Sequence, residues 1–125
     1  MRTGLIISAL MFSAVIFHFR CNFSLPPEKP QIFARRDSGA IGDTILIRVY
    51  TVDPEDQLIT YWIEWGDTTK PRWSYFFPSG ETIERTHRYF TPGVYFIQVK
   101  GRDIDRNESP WSDTFKMKIT DTLMW

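Results

Sequence analysis

The sequence contains a single cysteine, Cys21, among its 125 residues. An intramolecular disulfide therefore cannot form, and a structural zinc site built on several thiolates is excluded as well. Only two histidines are present, and His87 alone lies beyond the first twenty residues, so a catalytic triad would have to rely on that one side chain. The sequence also lacks a phosphate-binding glycine loop and a nucleophile elbow. We therefore predict that the chain is not an enzyme.

Neither sign of charge is in excess, because the chain has 15 basic and 15 acidic residues. A net charge of zero provides no broad positive field for a polyanion, and we predict that the partner is not a nucleic acid. Aromatic residues make up 16% of the chain, which excludes disorder over most of its length and suits a core built from β-sheets. A chain of this length has room for one domain and a targeting segment.

The N-terminal segment has the pattern of a signal peptide. A short basic start is followed by an apolar run over residues 5–17, as in the hydrophobic region of such a peptide. The run is shorter than the ~20 residues of a membrane-spanning helix. A buried core helix is the alternative, but apolar residues cover every face of this one. We predict export, with membrane contact through this leader only.

Cys21 directly follows the apolar run, at the position of the lipid-modified cysteine in bacterial lipoproteins. The residues before it, His18, Phe19 and Arg20, are bulkier than the small residues usual there. Two interpretations stay open. The protein is lipid-anchored in the cell envelope through Cys21, or it is secreted and Cys21 is a free thiol or a remnant of a differently processed leader.

Beyond the leader, short alternating runs separated by turn residues predict a single all-β sandwich. In one run, Ile45, Ile47 and Val49 fall on the same face of a strand, whereas residues 37–39 read as a turn. The predicted strands are residues 31–35, 44–52, 59–65, 72–77, 82–89, 94–102 and 113–119. The predicted organisation is residues 1–21 as leader, 22–30 as an extended Pro-rich tether, 31–120 as the sandwich and 121–125 as a C-terminal tail.

Several motifs then occur in a characteristic order. They are Asp53-Pro54-Glu55-Asp56, Tyr61-Trp62-Ile63-Glu64-Trp65-Gly66-Asp67, His87-Arg88-Tyr89, Pro92-Gly93-Val94-Tyr95 and Val99-Lys100-Gly101-Arg102-Asp103. Together they resemble a PKD domain, an immunoglobulin-like β-sandwich found in surface and exported proteins of prokaryotes, over residues 30–120. Glu64 and Thr68 depart from the aspartate and glycine usual in that family.

The resemblance implies structural roles for the motif residues. In particular, it implies that His87 is packed and hydrogen-bonded near the Trp65 turn, and so is not catalytic. The residues with implied structural roles are Tyr61, Trp65, Gly66, Asp67, His87, Pro92, Gly93 and Tyr95. The family also implies an interaction or spacer module at the cell surface.

Four aromatic residues are candidates for an interaction surface. Trp62 and Phe96 face away from the apolar side of their predicted strands. Trp73 and Tyr75 share one face of the predicted strand 72–77, where they either stack on a sugar ring or partner protein or fill the core. We predict that one sheet face binds a protein or a glycan. Edge strands could also pair between copies, so self-association stays open.

Acidic turn residues suggest a second class of function, a calcium- or carbohydrate-binding accessory domain. Carboxylates from two turns could converge at one end of a sandwich and ligate calcium. The alternative is that they are solvated polar turns, because Asp53-Pro54-Glu55-Asp56 lacks a full ligand spacing. The candidate calcium ligands are Asp53, Glu55, Asp56, Asp103 and Asp105.

Overall fold

The computed structural model describes residues 24–121, which contain seven β-strands and no helix. Accordingly, this part of the chain has no helix that could cross a membrane. The predictions for the leader, for Cys21 and for residues 122–125 lie outside the described residues. The strands are β1 (Gln31–Ala34), β2 (Ser38–Ala40), β3 (Ile45–Tyr50), β4 (Thr60–Glu64), β5 (Ile83–His87), β6 (Gly93–Arg102) and β7 (Phe115–Thr120).

The strands form two sheets that share one core. The three-stranded sheet has the order β1-β3-β5 and is antiparallel throughout. The four-stranded sheet has the order β2-β7-β6-β4, with a parallel pair only between β2 and β7. In β3 the alternation is clear, because Ile45, Ile47 and Val49 are buried and Leu46 and Arg48 are exposed. Apolar residues of both sheets form one buried cluster, which confirms the predicted all-β architecture of two facing layers.

Residues 72–77 do not form the predicted strand. They touch β4 only at two isolated bridges, Trp62 to Trp73 and Ile59 to Phe77. Between these bridges the Ser74 hydroxyl accepts the Tyr61 N–H at 2.9 Å, where a regular ladder would use a backbone carbonyl. The side-chain bond interrupts the ladder, and Trp73 and Phe77 do not lie on one face as a regular strand would place them, since Trp73 packs on Trp62 and Phe77 packs against the core.

Two of the three residues of the predicted turn at 37–39, Ser38 and Gly39, instead belong to β2. The N–H of Lys118 donates to the Asp37 carbonyl and the N–H of Ile41 donates to the Thr120 carbonyl, both at 2.9 Å. A three-residue strand containing glycine carries no alternation that a sequence pattern could detect. The predicted number of strands agrees with the structure only because β2 replaces the segment 72–77.

Residues 24–30 are not a free tether but part of the folded domain. Pro27 and Pro30 are fully buried, and the Glu28 N–H donates to the Val52 carbonyl at 2.9 Å. The Leu25 N–H donates to the Glu55 carboxylate at 2.9 and 3.1 Å. Residues 24–30, predicted to be a tether outside the sandwich, therefore belong to the folded domain.

The two ends of the described chain lie at opposite ends of the sandwich. The Ser24 hydroxyl bonds to the Asp103 carboxylate at 3.2 Å, and Asp103 directly follows the last residue of β6. Thr120 lies next to Ile119, which pairs with Gly93, the first residue of β6. The ten residues of β6 span about 30 Å. We call these the Asp103 end and the Gly93 end.

Candidate functional site

Most of the motif residues pack together towards the Gly93 end, whereas Tyr61 pairs with Gly101 near the Asp103 end. The imidazole of His87 stacks on the Trp65 ring, with centroids 4.6 Å apart, and its Nε2 lies 2.7 Å from Asp67 Oδ2. The ring of Tyr89 meets the edge of His87, and its hydroxyl donates to the Trp65 carbonyl at 2.7 Å. Tyr95 stacks on Tyr89 with centroids 4.2 Å apart. These contacts join the turn after β4 to β5 and β6.

We call Trp65, Asp67, His87, Tyr89 and Tyr95 the motif cluster. The pKa values of its ionisable groups suit a structural role. Burial acts to raise the pKa of Asp67, but hydrogen bonds from His87 and from the Thr69 N–H outweigh it, and the pKa lies below the usual value. Burial raises the pKa of the Tyr89 hydroxyl and raises that of Tyr61 to about 12. Asp67 is thus held as a carboxylate that anchors the histidine, and the two tyrosines stay neutral.

Gly66 lets the turn pass close to β6. Its φ is +85°, a left-handed conformation that side chains disfavour. A Cβ built there would lie 2.8 Å from the Phe96 carbonyl oxygen and 2.9 Å from the Phe96 nitrogen, so the approach of the backbone requires glycine. Pro92 and Gly93 form the exposed turn that starts β6.

A second cluster lies on the outer face of the four-stranded sheet. The rings of Trp62 and Trp73 are 5.3 Å apart. Lys100 Nζ lies 6.0, 5.7 and 4.8 Å from the rings of Trp62, Trp73 and Trp111, and Arg102 Cζ lies 4.1 Å from that of Trp73. We call these five residues the aromatic–cation cluster. Each contact has the geometry of a cation–π interaction.

Backbone register brings this cluster together. Trp62 pairs with Lys100 across β4 and β6. The Ser109 hydroxyl accepts the Gly101 N–H at 2.8 Å and the Ser112 hydroxyl accepts the Val99 N–H at 2.9 Å. These two serines hold the segment containing Trp111 against β6. The alternation of residues along β6 places Lys100 on the same outer face as Phe96, but the register that brings it to Trp62 was not predictable from the sequence.

The four candidate interaction residues have different environments. Trp62 and Trp73 are half-buried within the aromatic–cation cluster, whereas Tyr75 is 88% exposed and Phe96 is 54% exposed. Phe77 of the segment 72–77 packs towards the core, 6.3 Å from the Tyr61 ring.

The acidic turns are held by hydrogen bonds within their own loops. Asp53 Oδ1 accepts the N–H groups of Glu55 and Gln57 at 2.9 and 3.2 Å. Asp103 Oδ1 accepts those of Asp105 and Asn107, both at 2.9 Å. Both buried aspartates thus organise turns of the same kind. Between residues 24 and 121, no three His, Cys, Asp or Glu side chains lie close enough to hold a metal ion.

The two acidic turns meet at the Asp103 end, where the Ser24 hydroxyl lies 3.5 Å from Glu55 Oε1 and 3.2 Å from Asp103 Oδ2, but their carboxylates bond to protein donors. Glu55 accepts the Leu25 N–H, Asp105 accepts the Gln57 amide at 3.0 Å, and Asp56 is exposed with φ at +57°. We therefore expect millimolar calcium to leave the melting temperature unchanged, since a ligand that binds only the folded state would raise it. Asp53 Oδ2 is buried without a hydrogen-bond partner among the described residues. A calcium-dependent rise abolished by Asp53→Asn would contradict this expectation.

The two facing sheets and the motif cluster define the chain as an immunoglobulin-like β-sandwich. The chain belongs to the PKD domain family. It is 32% identical to the PKD domain of an M14-like peptidase from a Thermoplasmatales archaeon, with a TM-score of 0.74, covering 79% of this chain and all of that one.

Two further solved structures share the fold at lower identity. The PKD domain of the human VPS10 domain-containing receptor SorCS2 is 17% identical, with a TM-score of 0.56, covering 82% of this chain and 81% of that one. A CARDB domain from Pyrococcus furiosus, crystallised with di-metal ions, is 12% identical with a TM-score of 0.53, covering 81% and 99%. No protein-family model and no curated protein matches the sequence.

Proposed function

We propose that this protein is a non-catalytic module, secreted or on the cell surface, that acts as a spacer along its long axis and presents a binding surface. The observation that carries the proposal is that Ser24 and Asp121 lie at opposite ends of a sandwich about 30 Å long. A domain with this geometry adds its full length to a chain. PKD domains of a peptidase and of a receptor share the fold, and domains of this type are typically extracellular accessory domains.

The surroundings of His87 support a role without catalysis. One face of its ring is covered by Trp65, its edge meets Tyr89, and Nε2 is bound to Asp67. Within residues 24–121 no hydroxyl is hydrogen-bonded to the imidazole, as an activated nucleophile would be. The histidine is used to hold the turn after β4.

Export is tested by placing an epitope tag after the last residue of the full chain and expressing it in a bacterial host. We expect antibody to reach the tag on intact cells or in the medium, because the apolar leader directs export. Leu10→Arg interrupts the apolar run and should keep the tag inside. A tag that is reached only after lysis of cells making the unaltered chain would contradict the proposal.

The form of the mature N-terminus decides between the lipid-anchored and the secreted alternative. Intact-mass spectrometry of the exported protein would show a diacylglyceryl mass on Cys21, a free thiol, or a chain from which the residue is absent. Cys21→Ser is the control, since it removes the added mass only if that residue carries the lipid. The compartment then limits the partners that the module can meet.

A further inference from the structure

An open groove lies on the side of the sandwich, between the edge strands of the two sheets. Arg85 belongs to β5, an edge of the three-stranded sheet, and the segment after β4 borders the edge of the four-stranded sheet. The groove measures about 510 Å³ and is lined by Arg72, Trp73, Ser74, Tyr75 and Arg85. It is open to solvent along the side of the domain, so an extended chain could lie in it.

The groove is positively charged and has no acidic residue in its lining. Neither Arg72 nor Arg85 makes an ion pair with any residue from 24 to 121. Arg85 donates one bond to the Glu84 carbonyl at 3.0 Å, which leaves most of its N–H groups free. Unpaired guanidinium groups suit carboxylates, which they bind with two parallel hydrogen bonds.

Tyr75 presents almost its whole side chain to solvent beside these arginines, at 88% exposure. A large aromatic ring with both an apolar face and a polar tip is typical of binding surfaces. Its flat face matches the apolar face of a sugar ring. The groove lacks the deep apolar pocket in which a protein partner buries an anchor residue, and its few cations would neutralise too few phosphates for tight binding of nucleic acid.

We propose that this groove binds an acidic polysaccharide, with uronate carboxylates on Arg72 and Arg85 and a sugar ring stacked on Tyr75. The inference deepens the proposed function and rests on it, because an exported module meets such polymers outside the cell. It names one ligand class for the binding surface. The charge is local, which is why the balanced totals of the chain did not reveal it.

The test is affinity electrophoresis of the exported protein in gels containing polygalacturonate, with dextran as the neutral polymer. We expect retardation by polygalacturonate and none by dextran. Tyr75→Ala should weaken binding about tenfold and Arg72→Ala by a similar factor, since each removes one main contact. The matched controls are Phe90→Ala, which removes a 74% exposed aromatic elsewhere, and Arg36→Ala, which removes an exposed cation; both should bind like the unaltered protein.

Three outcomes would overturn the inference. These are no retardation by polygalacturonate, equal losses in the groove variants and their controls, or equal Tyr75-dependent binding of polyglutamate, which would assign the groove to an acidic peptide. All four variants change exposed side chains, and unchanged melting temperatures would show that they fold. If the tag stays accessible while polygalacturonate does not bind, this inference fails and the spacer role stands. If the tag stays inside the cell, the proposed function fails by itself.

Discussion

Replacing Gly66 with alanine will destabilise the domain by about 3–4 kcal/mol, because two costs combine at this residue. Its φ of +85° lies in the left-handed region, which costs a residue with a Cβ about 1 kcal/mol. The new Cβ would also lie 2.8 Å from the Phe96 carbonyl oxygen. Because the obstacle is backbone and not a flexible side chain, the turn or β6 must shift. Urea denaturation followed by tryptophan fluorescence measures the loss.

Gly42→Ala is the matched control for this experiment. Gly42 has nearly the same φ, +81°, but nothing lies within 4 Å of the Cβ position. It should therefore lose only the conformational part, about 1 kcal/mol. Equal losses in the two variants would show that the close approach of Gly66 to Phe96 contributes nothing to stability.

Replacing Asp67 with asparagine will remove about 2 kcal/mol of stability at neutral pH, since it takes the charged acceptor from a largely buried pair. The side chains of His87 and Asp67 are only 14% and 19% exposed. Asparagine preserves the shape of the side chain, so the loss reports on the hydrogen bonds and the charge. Urea denaturation of the two proteins at a series of pH values measures the difference.

The pH dependence of that difference follows from the lowered pKa of Asp67. The folded-state pKa lies below the ordinary 3.8, so the contribution of the carboxylate is fully present above about pH 4 and is lost as the pH falls through the folded pKa. The two proteins should therefore converge in stability in acid. A difference that stays constant down to pH 2 would contradict this assignment.

Glu84→Gln is the control for Asp67→Asn. It breaks the Arg48–Glu84 pair, whose N–O distance is 2.9 Å but whose side chains are 54% and 53% exposed. Solvent screens such a pair, and the expected loss is below about 1 kcal/mol. If both substitutions cost the same, burial of the His87–Asp67 pair adds nothing.

The strands that sequence reasoning found are those with one buried and one exposed face. In β6 and β7, Ile97, Val99, Met117 and Ile119 are buried and alternate with more exposed residues. This alternation is a local property that a period of two reveals. Residues 72–77 alternate in type as well, but the Ser74 hydroxyl replaces a ladder bond. A competing side-chain bond of this kind leaves no mark in the pattern of apolar residues.

The candidate sites also divide into contacts that the sequence indicated and contacts that only the tertiary structure brings about. The order of the motifs indicated, through the family resemblance, that His87 lies near Trp65. The contacts of Lys100 with three tryptophan rings come from residues far apart in the sequence. Only the pairing of β4 with β6 and the docking of the segment around Trp111 place them together.

By itself, the sequence determined that this is a single sandwich with one lone cysteine, an apolar N-terminal run over residues 5–17 and an ordered set of turn motifs. Those properties depend on residue type and on short-range spacing, which the chain carries locally. The tertiary structure decided that Pro27 and Pro30 are buried in the domain. It also decided that the two ends of the described chain lie at opposite ends of the sandwich, and that Arg72, Tyr75 and Arg85 line one groove. These depend on the register and packing of strands distant in sequence, which the energy of the whole fold selects.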